Sequence, residues 1–286
     1  MTSVLTELIA LLAPPGCLAC RAPLAGAERR LCVACARGMP WLEPGCPRCA
    51  LPAHRGGVCP AAALAFERAW APLAFAGPAR ALVHALKFRG ALPAAQLMAA
   101  QMAANLPADL RAPLVGLAET AASRPVPLVG LPEVAASRPV PLVGLPEVAA
   151  RRPAPLVGLP DCRGDQPAPW APTLAIVPAP TVARRRRARG FDPAVVLAGA
   201  LARRLERPLA DCLRRRDRAP SQIGRGRSAR RAGGRRIELA LRRAPPPCAL
   251  LVDDVHTTGA TLDAATRALA AAGCRVVAAI SYARTL

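Results

Sequence analysis

At 286 residues the chain has the length of about two ordinary domains, and its 53% hydrophobic content allows a sizeable core and excludes a disordered chain. Thirty-nine basic against 18 acidic residues leave a net charge of +21, which disfavours cationic partners and suits phosphates, nucleic acids or acidic surfaces. Lys87 is the only lysine, and a chain this rich in Arg, Ala, Pro and Gly is also what GC-biased codon usage produces, so the charge has a compositional reading beside the functional one.

In chain order, residues 1–14 form an apolar stretch without a basic leader or a small-residue cleavage site. They read as a short helix packing on the body and not as a signal peptide. No apolar run of about 18 residues escapes a charge or a proline, so no membrane insertion is expected and the protein reads as cytoplasmic.

Seven of the 11 cysteines lie between Cys17 and Cys59. A Cys-x-x-Cys turn aims two thiolates at one centre, and two such turns complete a tetrahedral site. Cys17, Cys20, Cys32 and Cys35 have that spacing and predict a structural Zn2+. No βαβ unit follows them, which argues against a thioredoxin-like dithiol. The second set, Cys46, Cys49 and Cys59, lacks its last cysteine, since the expected position is Ala62. Two readings stay open: His54 supplies the fourth ligand of a Cys3His zinc site, or the site is lost and His54 is a surface residue. Residues 15–62 are too few for a core of their own, so metal must supply much of their folding energy. Cys162, Cys212, Cys248 and Cys274 are scattered and read as small apolar residues or surface thiols.

From about 113 to 170 the chain repeats every 14 residues or so, with units starting at Pro113, Pro127, Pro141 and a decayed one at Pro155. Prolines at that density oppose both helix and central strand. The segment reads as an extended insertion looping out of one domain, with a Pro-rich docking segment as its functional alternative. Leu174 to Val177 then reads as a buried strand. Residues 184–243 hold about half of the basic residues, in runs such as Arg184–Arg187 and Arg214–Arg216. This belt suits a polyanion, including single-stranded DNA held electrostatically, but Phe191 is its lone aromatic and supports no stacking platform. Residues 218–236 read as a mobile loop able to close over a ligand.

Residues 248–252 predict a buried parallel strand that ends in Asp253 and Asp254. A turn and a helix from about Thr261 to Ala272 follow, capped by Gly273, and then a strand from Arg275 to Ser281. This is a unit of a doubly wound, mostly parallel α/β sheet, in which ligands bind beyond the carboxyl ends of the strands. Thr257, Thr258, Gly259, Ala260 and Thr261 would present backbone N–H groups and hydroxyls to a phosphate at a helix N-terminus, with Gly259 allowing close approach or positive φ. Two carboxylates beside an anion site make sense if the phosphate hangs from a sugar whose vicinal hydroxyls they accept. His256 reads as solvent-facing and not catalytic.

The string from Val252 to Thr261 resembles the 5-phosphoribosyl-1-pyrophosphate (PRPP) motif of type I phosphoribosyltransferases. Together with the zinc ribbon it resembles the ComF family, which includes the GntX-like proteins and is associated with DNA uptake in competent bacteria. Leu86-Lys87-Phe88, Ile176 to Pro180, Arg189-Gly190-Phe191, a loop with Gln222 and Arg230, and Ala283 to Leu286 match that pattern as well. The resemblance implies that Asp253 and Asp254 hold the ribose hydroxyls and that Thr257 to Thr261 hold the 5′-phosphate. A pyrophosphate loop would lie at Ala179 and Pro180, with Arg187, Arg189, Gln222 and Arg230 as loop candidates and Mg2+ bridging pyrophosphate and sugar. The chain departs from the family at Asp192-Pro193, where Asn-Gln is usual, and at Gly233, where the loop asparagine stands. It also has Thr257 where purine-salvage members place an acidic base. The implied division is a helix at 1–14, a double zinc ribbon at 15–65 and a phosphoribosyltransferase-like domain at 66–286. The implied function is phosphoribosyl transfer from PRPP to an acceptor in the context of competence. The alternatives are a non-enzymatic DNA-uptake factor that binds single-stranded DNA and a zinc-ribbon adaptor for uptake-machinery proteins.

Overall fold

The computed structural model describes residues 15–24, 29–54, 57–115, 174–216 and 237–286. The helix expected at 1–14, the repeats beyond Val115, Cys162, and the loop with Gln222 and Arg230 lie outside the described residues.

The described residues begin with the cysteine-rich turns and the short helix α1 (Val33–Arg37), followed by β1 (Ala69–Trp70) and β2 (Leu73–Ala74). Three helices come next: α2 (Gly77–Arg89), α3 (Leu92–Asn105) and α4 (Ala108–Val115). After the repeats come β3 (Leu174–Pro178), α5 (Ala183–Arg189), α6 (Pro193–Arg204), β4 (Leu213–Arg215) and β5 (Leu239–Leu241). The described chain closes with β6 (Cys248–His256), α7 (Ala260–Ala270) and β7 (Arg275–Arg284). The main sheet runs β1-β7-β6-β3 with every pairing parallel, and β2 extends the β7 edge. An antiparallel pair, β4–β5, stands apart from it.

The apolar runs of β3 and β6 are buried on both faces, as parallel strands covered by helices must be. Leu174, Ile176, Leu250, Val252 and Ile280 face one core with the buried sides of α2, α3 and α6. Val177, Leu251 and Ala279 face the other, with Leu262, Ala265 and Leu269 of α7. Alanines let the helical layer pack closely: Ala94, Ala95 and Ala99 of α3 are fully buried, and α3 lies against α6. The lone tyrosine, Tyr282, ties the layer to the sheet by donating its hydroxyl to Gln101 Oε1 at 2.7 Å.

Four boundaries differ from expectation. Helix α7 ends at Ala270 and not Ala272, and β7 runs past Ser281 to Arg284. The strand expected to end at the aspartates continues through them to His256, because β7 runs on to Arg284 and offers partners out to that residue. The helix expected from Thr261 begins at Ala260, with Gly259 as its N-cap in the left-handed region (φ 80°).

Candidate functional site

The β6–α7 turn opens onto a cavity of about 240 Å3 lined by Asp253, Thr257, Thr258, Gly259, Ala260 and Thr261, with Arg215 and Ile237 across from them. The first-turn N–H groups of α7 have no partner inside their own helix, and the positive end of its dipole adds to their pull on an anion. Gly259 is required here twice over. Its φ of +80° disfavours any side chain, and a Cβ would lie 2.9 Å from both His256 Nε2 and Leu64 Cδ1. His256 is therefore not the solvent-facing residue expected: it is 2% exposed and packs edge-on against Phe66, with ring centroids 5.7 Å apart. Burial, aided by the nearby Arg284 cation, pushes its pKa down to about 4, so the ring is neutral near pH 7.

Consecutive residues of a strand point to opposite sides, and this separates the two aspartates. Asp253 follows Leu251 toward α7 and lines the cavity. Asp254 follows Val252 toward α2, where Lys87 Nζ meets its Oδ1 at 2.7 Å. Burial and the adjacent Asp254 charge push the Asp253 carboxyl well above the usual carboxylate range, against the pull of the Asp254 backbone N–H and Lys87. No local pattern marks Lys87, the sole lysine, as a partner of the acidic pair; the fold brings it there.

At the end of β3, Ala179 is buried and donates its N–H to Val252 O (2.8 Å), and Pro180 has no N–H to offer. Asp192 organises the following turn. Its carboxylate accepts from Thr181 N and Oγ1 (3.2 and 2.8 Å) and from Ala194 N (3.1 Å), so it caps α6 and anchors the turn together. A smaller cavity of about 40 Å3 lies here, lined by Pro180, Thr181, Asp192, Arg186, Arg214 and Arg215. Arg186, one residue before the expected Arg187, is the α5 arginine that lines it. Arg189 instead lies over the Phe88 ring, 5.1 Å from its centroid. Phe88 continues a row through His84 to Phe75, with centroids 5.4 and 6.1 Å apart. Sequence reading counted Phe191 alone because these rings come from outside the arginine-rich segment.

Both cysteine sets close. Cys17, Cys20, Cys32 and Cys35 form one group and Cys46, Cys49, His54 and Cys59 the other, each with its ligand atoms within 4.8 Å of one another. Zn–S bonds of about 2.3 Å in a tetrahedron imply S···S edges of about 3.8 Å. Cys20–Cys32 at 3.7 Å and Cys46–Cys59 at 3.9 Å fit that edge. His54 Nε2 lies 3.1 Å from Cys49 Sγ, so of the two open readings the geometry favours His54 as fourth ligand. Burial works to raise the Cys17 thiol, but the N–H groups of Cys20, Cys32 and Ala19 outweigh it and bring it down to about 6. Burial and the neighbouring thiols push Cys49 up to about 12. Thiols this crowded, with backbone N–H groups aimed at Cys17, Cys32 and Cys46, suit thiolates on a thiophilic cation, and the donor sets are those of structural zinc.

A parallel sheet with an acidic pair and an anion loop at a strand end defines an α/β phosphoribosyltransferase-type domain, here carrying a cysteine-built ribbon. Residues 8–63 match the double zinc ribbon domain model and residues 192–285 match the phosphoribosyl transferase domain model. The chain thus has a ComF-like architecture, a double zinc ribbon followed by a phosphoribosyltransferase domain. No curated protein and no solved structure matches it. Among the described residues no helix is long and apolar enough to cross a membrane.

Proposed function

We propose that this chain binds PRPP with Mg2+ and transfers its phosphoribosyl group to an acceptor, within the division 1–14, 15–65 and 66–286. The observation that carries the reading is one cavity shared by a carboxylate and a glycine-centred anion loop. An anion loop alone would take any phosphate, whereas a carboxylate beside it selects one whose neighbouring groups donate hydrogen bonds. Thr257 to Thr261 hold the 5′-phosphate. Asp253, which lines the cavity, accepts from the ribose hydroxyls, while Asp254, turned to the other side and paired with Lys87, acts on it through its charge.

The transfer breaks the C1–O bond to pyrophosphate and forms a bond from C1 to the acceptor, through an oxocarbenium-like state. The chain's contribution is positioning and charge stabilisation. Arg186, Arg214 and Arg215 line the side where pyrophosphate leaves, and Pro180–Thr181 form its turn. The oxygen donors of the acidic pair suit a hard cation, and Mg2+ would neutralise the pyrophosphate, held largely by substrate oxygens and water. Gln222 and Arg230 belong to the proposed closing loop. Both quartets are proposed to carry zinc. The competence context rests on the domain architecture. The exposed arginines of α5 also favour single-stranded DNA as a partner of a non-enzymatic form.

Calorimetric titration of PRPP into zinc-loaded protein, with and without Mg2+, tests the reading. Magnesium-dependent binding that vanishes in the Asp253→Asn/Asp254→Asn variant is expected, and absence of binding to folded wild-type protein would overturn it. Because Asp253 has a raised pKa, affinity should fall as pH drops through a point above the ordinary aspartate range.

A further inference from the structure

The second cysteine group reaches the phosphate loop through atoms that bind no metal. Arg284, 6% exposed at the end of β7, divides its guanidinium between the two. Its Nε donates to Cys49 O at 2.9 Å. Its Nη1 donates to His256 O at 2.9 Å, Thr257 O at 2.6 Å and Thr285 O at 2.7 Å. Peptide units are planar and trans, so fixing the carbonyls of His256 and Thr257 also fixes the N–H groups of Thr257 and Thr258, which point the opposite way. Thr257 and Thr258 line the cavity. The cation behind these two peptides also polarises them and strengthens their N–H groups as donors to an anion.

Two further contacts bring the same ribbon segment onto the loop. Leu64 and Phe66 lie against Gly259 and His256. Ala65 N–H donates to Asp263 Oδ1 in the first turn of α7 at 2.6 Å. Arg48, inside the Cys46–Cys49 turn, holds the connecting turn by donating to the carbonyls of Ala61, Ala62 and Leu64 at 3.0–3.1 Å.

We propose that Arg284 is a positioning residue for the phosphate loop, and that metal in the Cys46–Cys49–His54–Cys59 group keeps the Cys49 carbonyl in place for it. A buried guanidinium needs its acceptors, and a short metal-built turn loses its shape when the metal leaves. Losing the second zinc therefore loosens Thr257 and Thr258 although the metal touches no ligand of that loop. The first group makes no such connection among the described contacts.

The inference rests on the sugar-phosphate reading for its ligand but not for its first readout. That readout is amide hydrogen exchange of residues 257–261 in full-length, ligand-free protein, with zinc content measured alongside. In His54→Ala, one zinc should be lost and loop exchange should rise by about tenfold or more, the scale of one charged hydrogen bond. His54→Cys should restore both zinc and protection. Cys20→Ala should lose one zinc and leave loop exchange unchanged. Arg284→Lys keeps the cation and both zincs but lacks the fork, and should show the fast loop with an otherwise wild-type exchange pattern. Wild-type loop protection in Arg284→Lys, or in folded His54→Ala lacking its zinc, overturns the proposal. PRPP affinity is the second readout, expected to fall with loop protection. If wild-type protein binds no PRPP, the functional reading fails while the exchange result still decides the coupling.

Discussion

The two cysteine groups share one chemistry and differ in what they lean on. Around the first, Leu18, Leu31 and Met39 pack into the core formed with α2, α3 and α6, on the face of the sheet away from α7. Cys49, Ala61 and Phe66 beside the second enter the core under α7, and Arg284 joins its backbone to the β6–α7 turn. The two metal turns are similar local units. The sheet's two faces then give them different work, the first fastening the ribbon to the helical layer and the second roofing the loop.

Four measurements would break or sharpen this contrast. Chelation should have the largest effect, since structural zinc contributes on the order of 10 kcal/mol of folding energy. Limited proteolysis after chelation should cut within 15–65 and leave the cooperative melting of the sheet and helices. If that domain melts as well, the sheet and helices depend on the ribbon for folding and not only for the shape of the β6–α7 turn. Gly259→Ala comes next, at about 2–4 kcal/mol, combining left-handed backbone strain with a clash against His256 and Leu64. Gly57→Ala is its control: φ is +74° but nothing lies within 4 Å, so only the backbone cost applies. Equal losses of melting temperature in the two variants would show that the roof over the loop is not close-packed.

The third measurement is acid stability. His256 has a folded pKa of about 4 against an ordinary 6.5, so the unfolded chain binds the proton first. Stability from this group is complete above pH 6.5 and lost as pH falls toward 4, by up to about 3 kcal/mol. Denaturant unfolding of wild type and His256→Asn at pH 7 and 5 should show a smaller pH loss in the variant, which separates this effect from acid release of zinc. The smallest change is expected in Lys87→Met, which strands the Asp254 carboxylate at a cost of about 2 kcal/mol. Removing the Lys87 cation should also raise the Asp253 pKa further, moving the acid limb of PRPP binding to higher pH.

Much of the C-terminal α/β half can be read from local order. The run from Cys248 to Ser281 carries its strand, turn, helix and strand as composition and spacing, and Gly259 announces itself by its neighbours. The ribbon was legible down to the incomplete second set. The burial of His256 is not legible in the sequence because adjacency to a turn says nothing of the Phe66 ring that comes from the segment after the ribbon to cover it. The aromatic row Phe75–His84–Phe88 was missed for a related reason, since helical spacing aligns His84 with Phe88 but only folding brings Arg189 over it.

What the sequence by itself determined is everything set by short-range pattern: thiolate pairs, a buried strand entering a glycine turn and a helix, and two adjacent aspartates near the strand end. Tertiary structure decided the partners across long separations. Lys87 meets Asp254, Asp192 anchors Thr181, His54 completes the Cys46 group, and Arg284 joins Cys49 to Thr257. The physical reason is that a charged or polar side chain can be satisfied by many partners, and which one it gets depends on where the packed apolar faces place it.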